Sequence, residues 1–396
     1  MMELRPATRE EFDDFGRAVL SAFHQQLTDA DRERYGRIDE PERSLAWFDG
    51  GRIVATAGVY TRELTVPGAV VPCAAVTAVA VVATHRRRGL LTAMMRRQLE
   101  DLHARGDPVA VLWASEGGIY GRFGYGIAAR AARLVARRPQ ARIAAASNVG
   151  GPLRAGPAGE HVEPMRAVHE RVRPQRPGML DRRGPWWHDR LSDPESARGG
   201  AQPLRAVVDE DGYALYAVRP DSDEDGPAGE VRVRELVAAT PTAHARLWAF
   251  LLDQDLTRTI TWRLAPVDEP LWLALTDPRA VRMTLTDSLW ARLVDVAAAL
   301  SARSYAHDTD VVIAVADEFC PWNTGRYRLS AGGCERTRAA ADLELDVSSL
   351  GAAYLGGTSL RALAAAGRVR ELTAGAVARG AAALRGEVEP WCPEVF

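Results

Sequence analysis

Lysine is missing altogether: all 50 basic residues of the 396 are arginine, set against 52 acidic residues for a formal charge of −2. So even a balance creates no long-range attraction to nucleic acid or to an anionic membrane surface, and neither is expected as a partner. Cysteine is scarce. Cys73, Cys320, Cys334 and Cys392 form no CxxC pair, which argues against a zinc site or a disulfide framework and for a reducing compartment; no metal is expected. Long apolar runs are absent too, none approaching the ~18–20 residues that span a bilayer, and no signal-peptide pattern precedes the first helix. These absences point to a soluble, cytoplasmic chain of two or three domains, at roughly 100–200 residues each.

What is present is concentrated between Val76 and Gly126. A β-branched run, Val76 to Val82, leads into Arg86-Arg87-Arg88-Gly89, after which Leu90, Leu91, Met94, Met95, Leu99 and Leu102 recur at helical spacing. The spacing predicts strand, basic loop and helix. Arginines ahead of a helix N-terminus oppose its macrodipole unless an anion sits there, and the unpaired N–H groups of the first turn favour one. No Gly-Lys-Ser/Thr follows, which excludes a P-loop, and Gly89 stands without the other glycines of a dinucleotide fingerprint. A second strand, Val109 to Trp113, precedes the run Ser115-Glu116-Gly117-Gly118-Ile119-Tyr120-Gly121-Arg122-Phe123-Gly124-Tyr125-Gly126. The expectation is a phosphate-bearing ligand on the loop, with chemistry beside the second strand.

Around this stretch the chain reads as mixed α/β. Thr8 and Glu11 have capping-box spacing ahead of a helix on Phe12, Phe15, Val19, Leu20 and Phe23. A polar loop to Arg43 is expected next, then a hairpin of Leu45–Phe48 and Ile53–Tyr60. Residues 137–160, rich in Gly, Pro, Ala and Arg, read as a linker. Beyond it, Val162-Glu163-Pro164 reads as a strand, Met165–Val172 as a helix, Val207–Ala217 as a hairpin, and a helix starts near Pro241. This repeats the order of the first half but has no triple-arginine loop, so the second unit is expected to be catalytically empty. From Trp290 a helix over Leu293–Leu300 is expected, then strands at Val311–Val315, Arg326–Leu329 and Leu343–Val347. Two prolines in the tail, Pro390 and Pro393, stop any helix, and Trp391, Val395 and Phe396 predict a buried terminus.

The combination HRRRGLL and ASEGGIYGRFGYG, with a C-terminal aromatic residue, resembles the enhanced intracellular survival (Eis) acetyltransferases of the GCN5-related N-acetyltransferase (GNAT) superfamily along essentially the whole chain. Leu91 departs from the general superfamily pattern, which has Gly or Ala there. The resemblance implies tandem GNAT domains and a sterol-carrier-protein-like α/β domain, bounded at 1–150, 151–285 and 286–396. It implies acetyl-CoA as cofactor, with Val79, Ala80 and Val81 along the pantetheine arm, Arg86, Arg87, Arg88, Gly89, Leu90 and Leu91 cradling the pyrophosphate, and Ser115 near the acetyl group. By the same resemblance Tyr120 is the general acid and the terminal carboxylate of Phe396 the base. Amine-bearing small molecules such as aminoglycosides and polyamines are the implied acceptors, and a homo-hexamer the implied assembly.

The chemistry of those residues is compatible with the roles. A tyrosine near pKa ~10 keeps its proton at neutral pH and can offer it to a departing thiolate near ~8.5. A terminal carboxylate near ~3.3–3.7 is a weak base unless burial raises it; otherwise it only attracts and orients a cationic amine. Rival readings are a lipid- or acyl-CoA-binding module in the C-terminal half and a non-catalytic acetyl-CoA sensor.

Overall fold

The computed structural model describes residues 2–143, 151–306 and 309–396, so the middle of the expected linker lies outside the described residues. β1 (Met2–Arg5) leads to α1 (Phe12–Ala22) through the capping box of Thr8 and Glu11, whose carboxylate accepts the Thr8 N–H at 2.9 Å. The polar stretch that follows is not all loop. It holds α2 (Asp29–Gly36), capped by Thr28 and Asp31 and burying no residue fully, which is why no apolar periodicity announces it. β2 (Leu45–Asp49), β3 (Arg52–Val66) and β4 (Ala69–Val81) form an antiparallel meander. α3 (Leu90–Arg105) stops on Gly106, which takes the left-handed conformation. β5 (Val109–Trp113) then pairs parallel to β4, and β6 (Gly126–Ile127) follows.

A second seven-stranded sheet begins with β7 (Arg130–Arg137) and β8 (Arg154–Pro157), followed by α4 (Val162–Val172) and α5 (Trp186–Leu191). The hairpin β9 (Arg205–Asp209) and β10 (Gly212–Arg219) turns where expected. The short pair β11 (Ser222–Asp223) and β12 (Gly226–Pro227) leads to β13 (Gly229–Ala238), α6 (Pro241–Leu252), β14 (Thr257–Ala265), α7 (Leu271–Ala274) and β15 (Val281–Asp287). The order is β15-β7-β14-β13-β10-β9-β8. Val162-Glu163-Pro164 is helical rather than extended: Pro164 sits in the first turn of α4, where a missing N–H breaks no helical bond.

The remainder comprises β16 (Leu289–Leu293), α8 (Val296–Ser301), β17 (Asp310–Ala316), β18 (Gly325–Ser330), β19 (Gly333–Arg336), β20 (Leu343–Asp346), α9 (Val347–Ala353), α10 (Leu360–Ala365), β21 (Val369–Glu371) and α11 (Ala376–Leu384). The helix expected over Leu293–Leu300 is present as α8 but begins at Val296, and Trp290 to Leu293 are strand. β16 inserts between β5 and β6, completing the first sheet in the order β1-β2-β3-β4-β5-β16-β6. α9 packs on that insertion so closely that a Cβ at Gly126 would lie 1.9 Å from the Ser348 carbonyl oxygen, and one at Gly351 2.5 Å from that of Ala291. Both positions need glycine. Alongside, the buried Arg292 is neutralised by Asp317 at 2.6 Å.

The chain forms two compact units. One contains Met1–Ala129, Ser288–Glu387 and Phe396; the other contains Arg130–Asp287 and Val388–Val395. Among the described residues no helix is long and apolar enough to cross a membrane.

Candidate active site

The parallel pairing of β4 with β5 ends at Ala75 and Val111, although β4 runs on to Val81. Past that point lies a cleft of about 480 Å³. Val79, Ala80 and Val81 line it from β4, Arg86, Arg87 and Gly89 from the loop, Leu90 and Leu91 from the first turn of α3, and Ser115 and Tyr120 from the segment after β5. Two expected residues are elsewhere. Arg88 turns its guanidinium to the Met2 sulfur at 3.4 Å, and Phe396 does not line the cleft. The cleft also takes in Phe23 at the end of α1, and Glu116, Ile119 and Arg122, none of them singled out from sequence.

The basic loop is shaped for an anion. Arg87 (φ 61°) and Gly89 (φ 80°) are both left-handed, separated by one residue, and Gly89 caps α3 without any side-chain cap. The first helical bond runs from the Ala93 N–H to the Gly89 carbonyl at 3.1 Å, so Leu90, Leu91 and Thr92 have no helical acceptor for their N–H groups. His85 is held between Thr84 (2.8 Å) and Asp49 (3.2 Å), which suits a loop-bracing role. On the opposite wall, Ala78 has φ 53° within β4, opposite a register shift at Thr56/Gly58. Its carbonyl accepts from the Thr56 hydroxyl at 2.8 Å. A left-handed alanine in a strand costs of order 1–3 kcal/mol, and such bulges re-aim backbone groups beside functional clefts.

Tyr120 is not on β5 but on the loop after it, where its carbonyl accepts from the N–H groups of Phe123 (3.0 Å) and Tyr125 (3.3 Å). Its ring meets Tyr125 edge-on at 5.9 Å. Burial, and then the charge of Glu116, push its hydroxyl up to about 12. The residue is therefore protonated throughout the physiological range.

The tail seats in the second unit by a different means from the apolar one expected. Trp391 donates its backbone N–H to Pro177 (2.8 Å) and its indole N–H to Leu264 (2.7 Å), and lies edge-on to Trp262 at 5.9 Å. Gly178 (φ 93°) permits the approach, since a Cβ there would sit 2.9 Å from the Trp391 carbonyl oxygen. Glu394 is buried and accepts from Arg182 Nε at 2.9 Å. The same guanidinium forks onto Glu235 at 2.8 and 2.6 Å, and Glu235 also takes Arg190 at 2.9 Å and the Tyr213 hydroxyl. Burial alone would push Glu235 up, but Arg182 and Arg190 outweigh it and hold its carboxyl far below the usual range. Val395 is 55% exposed, correcting the expectation that it is buried; the charged neighbour, not the apolar side chain, is what the fold encloses.

Models of the acetyltransferase (GNAT) domain match residues 3–128 and again 178–293, and a sterol carrier protein domain model matches 296–393. The chain is 47% identical to an uncharacterized N-acetyltransferase of Streptomyces avermitilis across 92% of each sequence. It is 42% identical to the N-acetyltransferase Eis of Mycobacterium tuberculosis over 81% of this chain and 80% of that one. Among solved structures, Eis1 from Mycobacterium abscessus superimposes over all of both chains with a TM-score of 0.89 at 35% identity.

Proposed function

Because the chain belongs to the Eis family of GNAT N-acetyltransferases and is an enzyme of that class, we propose that it moves an acetyl group directly from acetyl-CoA to an amine of a polyamine, an aminoglycoside-like acceptor or a lysine side chain. The observation that carries this reading is the meeting, in one cleft, of a left-handed basic loop at a helix start, a bulged strand edge and the protonated Tyr120.

The residues present fit acetyl-CoA. The free N–H groups of Leu90 and Leu91 with Arg86, Arg87 and Gly89 suit a pyrophosphate, and Val79, Ala80 and Val81 offer backbone groups to an extended pantetheine arm. When bound, acetyl-CoA supplies the acetyl group as an activated thioester. Ser115 and Tyr120 line the same cleft; Ser115 would sit beside the acetyl group, and Tyr120 would offer its O–H to the departing sulfur. At about 12 that phenol is a weaker acid than a thiol near ~8.5, so Tyr120 acts as a hydrogen-bond donor to the sulfur before it acts as a proton donor. The Phe396 carboxylate is assigned the proton of the attacking amine from the family resemblance alone: Phe396 groups with the unit that carries Tyr120 but does not line the cleft. With it we propose domain limits of 1–150, 151–285 and 286–396, a homo-hexameric assembly and a cytoplasmic location.

The test is release of the CoA thiol against a panel of polyamines, aminoglycosides and lysine peptides. Acceptor-dependent release that is lost in Tyr120→Phe is the expected result. Tight acetyl-CoA binding with no release against any amine overturns it.

A further inference from the structure

The second unit repeats the seam of the first. β13 and β14 pair parallel from Gly229↔Thr257 to Val233↔Trp262, and a cleft of about 510 Å³, lined only by residues of this unit, lies over that seam from Glu230 and Thr261 to Arg234 and Leu264. It adjoins the parallel seam of its unit, as the first cleft does, and is of similar size, yet its chemistry is different. The first cleft is apolar along its strand and basic at the helix start. Here the basic groups stand on the strands themselves: Arg133 on β7, Arg232 and Arg234 on β13 and Arg263 on β14, with Arg190 and Arg198 facing them.

Only part of this charge is answered. Asp193 is shared by Arg198 (2.9 Å) and Arg234 (3.3 Å), Glu230 serves Arg232 (2.9 Å), and Arg190 is drawn to the buried Glu235. Arg133 and Arg263, both exposed, form no ion pair among the described residues. The strands bring them to one cleft. Arg263 follows Trp262, which pairs with Val233 on one side and Leu134 on the other before the β14–β7 register shifts, and Arg234, Arg263 and Arg133 all line the cleft from these three neighbouring strands. Like charges in adjacent strands destabilise a sheet, and a bound polyanion reverses the sign of that effect. We propose that this cleft is a binding site for a small multiply charged oxyanion, a polyphosphate or a polycarboxylate, held by Arg133, Arg234 and Arg263. Val395, next to the chain terminus, forms part of its rim, so an occupant lies against the tail.

Calorimetric titration of the full chain with inorganic pyrophosphate and, separately, with citrate tests this. Pyrophosphate is expected to bind at two places: one lost in Arg86→Ala/Arg87→Ala, the other retained there and weakened at least tenfold in Arg133→Ala/Arg263→Ala. Citrate binding distinguishes a carboxylate ligand from a phosphate one, and saturation by either anion supports the site. Arg133→Lys/Arg263→Lys is expected to restore most of the affinity, and raised salt to weaken it. Both arginines are exposed, and an unchanged melting temperature in the double variant shows that the fold is intact. If every saturable event vanishes with Arg86 and Arg87, or neither anion saturates the second unit at millimolar concentration, the proposal is wrong. These readouts need no acetyl transfer, so the outcome is independent of the catalytic assignment.

Discussion

Replacing Arg182 by methionine should strongly destabilise the second unit. The guanidinium is fully buried and serves two carboxylates at once, Glu235 through a fork at 2.8 and 2.6 Å and Glu394 at 2.9 Å. Methionine fills much of the volume but removes the Arg182 guanidinium from the buried Glu394, while Glu235 keeps Arg190 and the Tyr213 hydroxyl. Breaking a buried pair from one side costs about 3–5 kcal/mol, because a buried charge loses its principal counterion. At about 2–4 °C per kcal/mol for a unit of this size, the transition of the second unit should fall by roughly 6–20 °C. Glu394→Gln keeps an acceptor for Arg182 and leaves the Glu235 fork intact, so its loss should be well under half as large. Glu394 is two residues from Phe396, and freeing it lets the terminus wander over several ångströms. Turnover should therefore fall in Arg182→Met while the KM for acetyl-CoA, whose cleft lies in the other unit, stays put. Differential scanning calorimetry with steady-state kinetics measures both. A melting shift below about 2 °C would refute the energetic argument, and full turnover in a variant whose tail is shown to be released would refute the positioning one.

Three further outcomes follow. Tyr120→Phe should lower turnover by a factor of about 10²–10⁴ with little change in acetyl-CoA affinity, and because burial and Glu116 push the hydroxyl up to about 12, the wild-type rate should show no alkaline fall from this group below about pH 10. Appending a residue after Phe396 should abolish transfer and leave the melting temperature unchanged; a fully active extended chain would remove the terminal carboxylate from the reaction. Asp39, pushed up to about 7 by burial against a partial offset from Arg9, should contribute stability that is fully present below about pH 4 and is lost progressively up to about pH 7, since the fold favours its protonated form. Asp39→Asn should accordingly raise the melting temperature at pH 8 and not at pH 4, and an equal shift at both would contradict the assignment.

The cleft of the first unit was legible because its signals are local. A strand, three arginines, a glycine and an amphipathic helix lie within thirty residues, and the dipole argument needs no tertiary information. The misreadings have equally physical causes. α2 is polar on every side and marked only by its cap, so periodicity misses it. Leu289–Leu293 is a short apolar run directly ahead of an amphipathic helix, and such runs do not distinguish strand from helix until a neighbour claims them; here β5 and β6 do. Arg88 has the same side chain as Arg86 and Arg87, and only the left-handed turn at Arg87 decides that it faces Met2.

The tail shows the deepest limit. Apolar residues at a chain end predict burial, and for Trp391 that inference is sound, but the residue that locks the end in place is Glu394, a type that sequence reasoning assigns to solvent. Its burial follows from Arg182, 212 residues away, and from the fork by which Glu235 already holds that arginine in position. A buried charge needs a partner held in place, so the seat of the tail depends on the Arg182–Glu235 pair. The tail rests on that pair through Glu394 and the sheet does not rest on the tail, so a variant that weakens the pair should lose the tail before it loses the sheet.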